Sequence, residues 1–519
     1  MLEVKIMTYF LGIDLGTSAV KCILVDDQGK VKASHSVEYP LLQPQPGWAE
    51  QHPEDWWQGT ADCIRALLDK AAISGQDVAG IGLSGQMHGS VFLDSERKVV
   101  RPALLWCDQR TAAQCEWIEQ TIGSEELGRL TGNKALTGFT APKVIWLRDE
   151  EPEHYRRTAH LMLPKDYVRL QLTGEFGMDM ADASGTLLLD VANRRWSTEV
   201  VEGLGIPMEW LPPLYESNDI AGRLTSAAAE RTGLAPGTPV VAGGGDQACG
   251  AVGVGVVKQG IASVALGTSG VVFVHDDSYQ ADEQRRLHSF CHGVPGKWHR
   301  MGVMLAAGGS FQWWKNHLAQ EEQKQAAAEG RDVYELLTEL AASAPLGSEG
   351  LLFMPYLTGE RTPHPDPKAR GGFIGLNLRH GKAHLTRAVL EGITFGLRDS
   401  LELIKASGIE IKELRVNGGG ARSLFWRQMI ADIFGYPVVT VNSTDGPAYG
   451  AAVMAASGVL QRDISDLCEQ WIQVVDRVEP KPENQAQYEK YYEVFRTLYP
   501  TLKSTLHQLT DLASSSSEG

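Results

Sequence analysis

The chain has 519 residues, 43% of them apolar and 22% charged, which is ordinary for a globular protein and too long for one core, so two domains are expected. Its formal net charge of −16 excludes a broad basic surface for nucleic acid or anionic lipid. No apolar run reaches the roughly 18–20 residues of a membrane span, and Met1–Phe10 carries no signal-peptide pattern. Met7, just before the first apolar run, is a second candidate start. The seven cysteines are scattered without a C-x-x-C pair, as expected for reduced thiols in a cytoplasmic protein.

In chain order, Tyr9–Ile13 and Val20–Val25 are apolar runs around Gly12-Ile13-Asp14-Leu15-Gly16-Thr17-Ser18, which predicts a β-hairpin with a glycine turn. Glycine lets backbone approach a phosphate, and Thr17 and Ser18 add hydroxyl and amide donors. Asp14 is a candidate holder of hydrated Mg²⁺, a hard cation that prefers oxygen. No G-x-x-x-x-G-K-[ST] run occurs, which argues against a P-loop enzyme. Residues 53–72 read as a helix, with Pro53 in the first turn, Glu54 and Asp55 at the positive end of the dipole, and an apolar stripe of Trp57, Ala61, Ile64, Leu68 and Ala71. Val78–Leu83 reads as a buried strand. It runs into Ser84-Gly85-Gln86-Met87-His88-Gly89, followed shortly by Trp106-Cys107-Asp108-Gln109-Arg110. Gln86, Met87, His88, Trp106 and Asp108 together suit a carbohydrate pocket, with polar edges for hydroxyls and an aromatic face. Taken singly, His88 and Trp106 read equally well as core residues.

Val240–Ala242 then leads into Gly243-Gly244-Gly245-Asp246-Gln247 at a strand-to-helix junction. An N-cap role accounts for the acid but not for three glycines, so Asp246 is read as a catalytic carboxylate that caps as well. Leu15-Gly16-Thr17-Ser18 recurs as Leu266-Gly267-Thr268-Ser269, 251 residues later and again between two apolar runs, which points to an internal duplication. Only the first copy has a carboxylate before the turn: Asp14 stands where the second has Ala265. Two such hairpins facing a cleft would hold a phosphate chain. Residues 383–406 predict a helix with Ala388, Gly392 and Gly396 on one close-packing face. Leu414–Val416 predicts a strand into Asn417-Gly418-Gly419-Gly420-Ala421-Arg422-Ser423, whose bare backbone suits a flat base or ribose. The closing Ser514–Gly519 is polar and expected to be disordered.

These motifs, with Gly138–Glu150 (Lys143, Trp146, Asp149) and Gly371–Glu391 (Gly375-Leu376, His384-Leu385, Ala388–Glu391), resemble the FGGY carbohydrate kinases from about Tyr9 to about Leu460. The resemblance implies an α/β fold of two duplicated actin-like (ribonuclease H-like) domains, expected over 8–254 and 255–500 with a tail over 501–519, and an active site in the cleft. It implies Asp246 as general base, Asp14 with Asp246 at Mg²⁺, and Thr17, Ser18, Gly267 and Thr268 at the phosphates of ATP. Gly419, Gly420 and Ala421 would line the adenine, and Met87, His88, Trp106 and Asp108, with Gln86 and Gln247, the sugar. Gly85–Gly89, Leu163–Tyr167, His288-Ser289-Phe290-Cys291-His292 and Tyr356–Pro363 resemble the members that act on D-xylulose, and the Arg-Glu pair of glycerol-type members is missing. Gln247 departs from the Asn of some xylulose-type members, which leaves ribulose, gluconate or glycerol open as the acceptor. An actin-like ATPase that binds or assembles is the reading from another class. Expected partners are a small sugar and ATP, with no nucleic acid and no membrane; a homodimer is the candidate assembly.

Overall fold

The computed structural model describes residues 8–515; the expectation placed on Met7 as a start and, beyond Ser515, the disorder expected over Ser514–Gly519 lie outside them, while Ser514 and Ser515 close a helix. Tyr9–Leu15 (β1) and Ala19–Asp26 (β2) form the expected antiparallel hairpin, and Val31–Glu38 (β3) pairs antiparallel with β2. The helix Pro53–Ala71 (α1) crosses back, and Val78–Gly85 (β4) lies parallel to β1. A largely helical insertion follows, including Thr140–Glu150 (α2) and Pro164–Thr173 (α3). Ile220–Arg223 (β5), Pro239–Val241 (β6) and the short Gly244–Gly245 (β7) then complete the sheet in the order β5-β6-β4-β1-β2-β3, with β7 beside β4, and Asp246–Gly253 (α4) leaves it. In α1 the inward stripe is Trp56, Ala61, Cys63, Ile64, Leu67 and Leu68, while the expected Trp57 and Ala71 are only partly buried. The stripe is centred one residue earlier because the Trp56 indole goes into the core, where its Nε1 donates to Gln51 Oε1 at 3.0 Å.

The second half repeats this path. Gly260–Leu266 (β8) and Gly270–Asp276 (β9) form the second hairpin, and His288–Cys291 (β10) and Trp298–Met304 (β11) extend it. Helices Gly308–Leu318 (α5) and Lys382–Ala406 (α6) precede Ile411–Gly418 (β12), which lies parallel to β8 as β4 lies parallel to β1. Leu424–Phe434 (α7), Val438–Val441 (β13), Gly446–Leu460 (α8), Val474–Val478 (β14) and Pro482–Ser515 (α9) finish the chain. The sheet order is β10-β11-β9-β8-β12-β13-β14, in which β11-β9-β8-β12-β13 repeats the pairing and strand directions of β3-β2-β1-β4-β6, so the fold is two duplicated α/β domains. Small residues on α6 admit close packing as expected: a Cβ on Gly392 would sit 2.1 Å from the Phe353 carbonyl oxygen.

Two features were not legible locally. Although α8 lies in the second half of the chain, its Ala448, Ala452, Val453 and Met454 pack with Phe10, Ile23 and Val241 of the first sheet. It crosses α4 so closely that a Cβ on Gly450 would lie 1.8 Å from the Cys249 carbonyl oxygen. The expected tail from 501 is instead helix to Ser515, the last described residue. Pro500 suggests a stop, yet Tyr488, Tyr492, Phe495, Tyr499 and Leu506 form one buried stripe through it, so packing outweighs the lost backbone bond. All seven cysteines are unpaired, and among the described residues no helix is long and apolar enough to cross a membrane.

Candidate active site

A cavity of about 640 Å³ lies between the two hairpins. Asp14, Lys21, Asp246 and Gln247 line it from the first half, and Ala265, Gly419, Ala421 and Arg422 from the second. Asp14 is placed by β register: it stands opposite Ser84 on β4 and Lys21 on β2. Ser84 Oγ donates to Asp14 Oδ1 at 2.9 Å. Burial raises the Asp14 carboxyl above its ordinary range, and Ser84 and Lys21 oppose that rise. Lys21 is itself ion-paired with Asp445, just before α8.

Asp246 opens α4. Gly245 is the N-cap and no side chain caps this helix, so the capping role expected for Asp246 is not realised. Its carboxylate is left for other chemistry and is partnered by Gln247 alone, whose Nε2 donates to Oδ1 at 3.3 Å. Burial and then the Asp14 charge push it up to about 7, against the hydrogen bonds of Gln247. The glycines before it do serve close approach, but to protein: Gly243 has φ +80°, and a Cβ there would lie 1.9 Å from the Leu83 carbonyl oxygen. A Cβ on Gly245 would lie 2.6 Å from Met87 Cγ. The loop is thus pressed onto β4 and the segment after it that carries Met87 and His88.

His88 sits in the left-handed region, φ +68°, which is strained for a residue with a side chain. Its carbonyl oxygen accepts from Lys143 Nζ at 2.9 Å and Thr140 Oγ1 at 3.1 Å, and Lys143 also donates to the Gly138 carbonyl oxygen at 2.6 Å. Lys143, at 0% exposure, is pushed down to about 7 by burial, with Asp108 opposing. The imidazole Nδ1 faces the Gly185 carbonyl oxygen at 2.9 Å, so Nδ1 carries the hydrogen and Nε2 is an acceptor. Burial, Lys143 and Arg361 hold this ring down to about 3, hence neutral.

The other expected residues divide. Trp106, 36% exposed, donates from Nε1 to Thr17 Oγ1 at 2.9 Å and ties the sugar side to the first turn. Gln86 faces inward, where its Nε2 donates to Gln51 Oε1 at 3.0 Å and the Gly16 carbonyl oxygen at 3.4 Å. Asp108 is a correction: it is fully buried, and its oxygens take the Arg110 guanidinium at 2.7–3.0 Å and the Ala49 amide at 2.7 Å. It therefore offers no oxygen to a sugar. Thr17, Ser18, Gly267 and Thr268 sit at the hairpin tips, outside the cavity lining. The second tip is docked on α5, with the Gly308 and Gly309 amides donating to the Gly267 and Thr268 carbonyl oxygens, each at 2.9 Å. Of the glycine loop, Gly419 is open and lines the cavity with Ala421, whereas a Cβ on Gly420 would lie 2.8 Å from Leu266 and Trp426.

Sequence reasoning missed Lys21, which the hairpin register places opposite Asp14. It also missed a fully buried cluster beneath the Asp246 loop. There Lys165 Nζ lies 2.6 Å from Asp166 Oδ1, 2.5 Å from Asp179 Oδ1 and 3.7 Å from Asp182 Oδ2. Among the described residues no group of three or more His, Cys, Asp and Glu is arranged to hold a metal. Two carboxylates on one cavity nonetheless suit Mg²⁺, which keeps several waters and takes only one or two protein carboxylates alongside substrate phosphates. The arrangement can accept a proton from a hydroxyl at Asp246 and seat a flat ring on Gly419 and Ala421.

The pattern described as the FGGY family of carbohydrate kinases, N-terminal domain, matches residues 9–253, and the corresponding C-terminal domain matches residues 262–459. The chain is 41% identical to the xylulose kinase of Bacillus subtilis (strain 168) over 96% of its own length and 98% of that protein. It is 42% identical to the xylulose kinase of Escherichia coli (strain K12) over 95% and 99%. The solved structure of ligand-bound xylulose kinase from Lactobacillus acidophilus, 27% identical, superposes with a TM-score of 0.90 over 97% of this chain and 100% of that one. The chain belongs to the FGGY family of carbohydrate kinases.

Proposed function

We propose that this protein transfers the γ-phosphoryl group of ATP to the terminal O5 of D-xylulose. The observation that carries the reading is Asp246: a nearly unpartnered carboxylate lining the cleft, free of any capping role, whose glycine loop is pressed against Leu83 and Met87. Relatives named xylulose kinase at 41–42% identity over almost the whole chain support the sugar. The adenine lies against Gly419 and Ala421, and the phosphates run between the two hairpin tips. The O5 hydroxyl attacks the γ-phosphorus, the bond to the β,γ-bridging oxygen breaks, ADP leaves, and the hydroxyl proton passes to Asp246. The transition state of such transfers is loose, so the protein mainly positions and neutralises. Asp14 and Asp246 are the residues that would hold Mg²⁺, which when bound neutralises charge on the phosphoryl oxygens. His88 Nε2 accepts a sugar hydroxyl, and Lys143 holds His88 in its strained backbone conformation.

Steady-state ADP release is to be measured with D-xylulose, D-ribulose, gluconate and glycerol. Release that depends on sugar, with the highest kcat/KM for D-xylulose, is the expected result. Preference for glycerol or ribulose would overturn the sugar, and sugar-independent turnover the kinase reading itself.

A second expectation concerns the carboxylate pair. Asp14→Asn raises the Mg²⁺ concentration needed for half-maximal activity and leaves sugar affinity nearly unchanged. It also removes the like charge that helps hold Asp246 up, so the acid limb of the kcat/KM–pH profile moves to lower pH. An unchanged Mg²⁺ titration together with an unmoved acid limb would rule out the pairing.

A further inference from the structure

Two sequence motifs, His288–His292 and Tyr356–Pro363, take no part in the chemistry above, yet each sends one polar side chain toward the sugar side of the cleft. We propose that Arg361 and His288 form the far wall of the sugar pocket and read the hydroxyketone end of the substrate, Arg361 donating to the carbonyl O2 and His288 Nε2 accepting the O1 hydroxyl. This inference rests on the ketose reading of the same site.

The tautomer of His288 follows from its neighbour. Asn133 Nδ2 donates to the Thr131 carbonyl oxygen at 2.8 Å and to the Ser289 carbonyl oxygen at 3.2 Å, which turns Asn133 Oδ1 toward His288 Nδ1 at 2.9 Å. Nδ1 must therefore donate, and Nε2 is a bare acceptor. That Nε2 is buried and has no partner, on a residue only 6% exposed. Buried polar atoms are rarely left so, and each costs about 1–3 kcal/mol unless a ligand satisfies it. Burial, with Arg361 and His88 adding to it, holds the ring well below the ordinary histidine range and keeps Nε2 unprotonated.

Arg361 shows the complementary pattern. Its backbone is pinned on both sides. Glu360 Oε1 accepts from the Arg361 amide at 2.7 Å and the Leu305 amide at 3.0 Å, and Thr362 Oγ1 donates to the Arg286 carbonyl oxygen at 2.8 Å. Its half-buried guanidinium forms no hydrogen bond or ion pair with any described residue. Glu360, its sequence neighbour, is pushed up to about 8 by burial and so is not a standing counter-charge at neutral pH. A Cβ on Gly138 would lie 3.7 Å from Arg361 Nη2 and 2.7 Å from the Trp106 carbonyl oxygen, so the guanidinium reaches the segment that holds Trp106 and His88.

The two groups lie on the correct side. From Asp246 the wall runs through Gly245 to Met87 and His88. The His88 ring then packs on Phe139, at 4.7 Å between centroids, and Phe139 packs on His288, at 5.6 Å. A ketose with its reacting hydroxyl at Asp246 points its other end at His288 and Arg361. That end carries one carbonyl, which only accepts, and one adjacent hydroxyl, which can donate; the wall offers one donor fork and one bare acceptor.

The test compares kcat/KM for D-xylulose, 1-deoxy-D-xylulose, which lacks O1, and xylitol, which lacks the carbonyl, in wild type, His288→Phe and Arg361→Met. Wild type is expected to prefer D-xylulose over each analogue by about ten- to a hundred-fold. His288→Phe should bring the D-xylulose to 1-deoxy-D-xylulose ratio close to one, and Arg361→Met should do the same for xylitol. Each ratio compares two substrates on one enzyme, so a general loss of activity cancels. Arg361 has no hydrogen bond or ion pair to a described residue to lose, and its ratio decides alone if His288→Phe does not fold. Wild-type ratios in the variants, with D-xylulose still phosphorylated, would overturn this inference only. A wild type inactive on D-xylulose would instead overturn the function on which it rests.

Discussion

Asp246→Asn is expected to lower sugar phosphorylation by roughly 10²- to 10⁴-fold, the usual contribution of a positioned general base, while ATP affinity changes little. Asparagine keeps the shape and the contact with Gln247 but cannot take the O5 proton. The same substitution should make the protein more stable above neutral pH. The Asp246 carboxyl is raised from 3.8 to about 7 in the folded chain, first by burial and then by Asp14. A raised acid binds its proton more tightly folded than unfolded. Its stability contribution is therefore fully present below about pH 4 and is lost as pH rises to about 7. Asparagine has no proton to lose, so the difference in Tm between variant and wild type should grow from pH 5 to pH 8. The kcat/KM–pH profile of the wild type should fall on the acid side near pH 7 rather than near 4. Near wild-type turnover in Asp246→Asn would remove it as the base, and a Tm difference flat with pH would remove the burial argument.

The largest expected effect on stability comes from Lys165→Met, about 3–5 kcal/mol, the range for breaking a buried charge pair by removing one partner. Lys165 and its three carboxylates, Asp166, Asp179 and Asp182, are all 0% exposed. Burial by itself would lower the lysine; the three aspartates outweigh it and hold it firmly charged. Neither oxygen of Asp182 has a hydrogen bond, and burial raises this carboxyl well above its ordinary range. Without the ammonium, the carboxylates can escape only by protonation. The carboxyls of Asp179 and Asp182, already raised by burial, then rise further, and the added instability appears as pH climbs above the ordinary carboxylate range. Urea unfolding at pH 5 and pH 8 should show a small deficit at the first and the full one at the second. A Cβ on Gly245 would lie 3.2 Å from Asp182 Oδ1, so activity should fall as well, through a loosened Asp246 loop. A deficit below about 1 kcal/mol at pH 8 would mean the cluster is held by packing rather than by charge.

Much of this molecule was open to reading along the chain. The repeated turn, the β runs around each copy and the lone Asp14 sufficed for two duplicated domains with unequal hairpins, because strand, glycine turn and strand is a local pattern. The glycine run before Asp246 likewise marked a tight strand-to-helix junction, although its glycines make room for Leu83 and Met87 rather than for phosphate. Asp108 escaped correct placement because an acid two residues before an arginine looks the same in sequence whether it faces a pocket or closes a fork on that arginine. The tail expected from 501 is helical because the stripe from Tyr488 to Leu506 acts through packing, which outweighs the local cost of Pro500.

What the sequence determined by itself were the features set by neighbours in the chain: the hairpins, α1, the junction at Asp246, and the motifs that place the chain among the FGGY carbohydrate kinases. Only the tertiary structure decided which side chains share a surface. It laid α8 across the first sheet, gathered three aspartates around Lys165, and brought Arg361 beside Gly138, more than two hundred positions away. Burial and unpaired hydrogen-bonding capacity are properties of that assembled surface, and they carry most of the chemistry at this site.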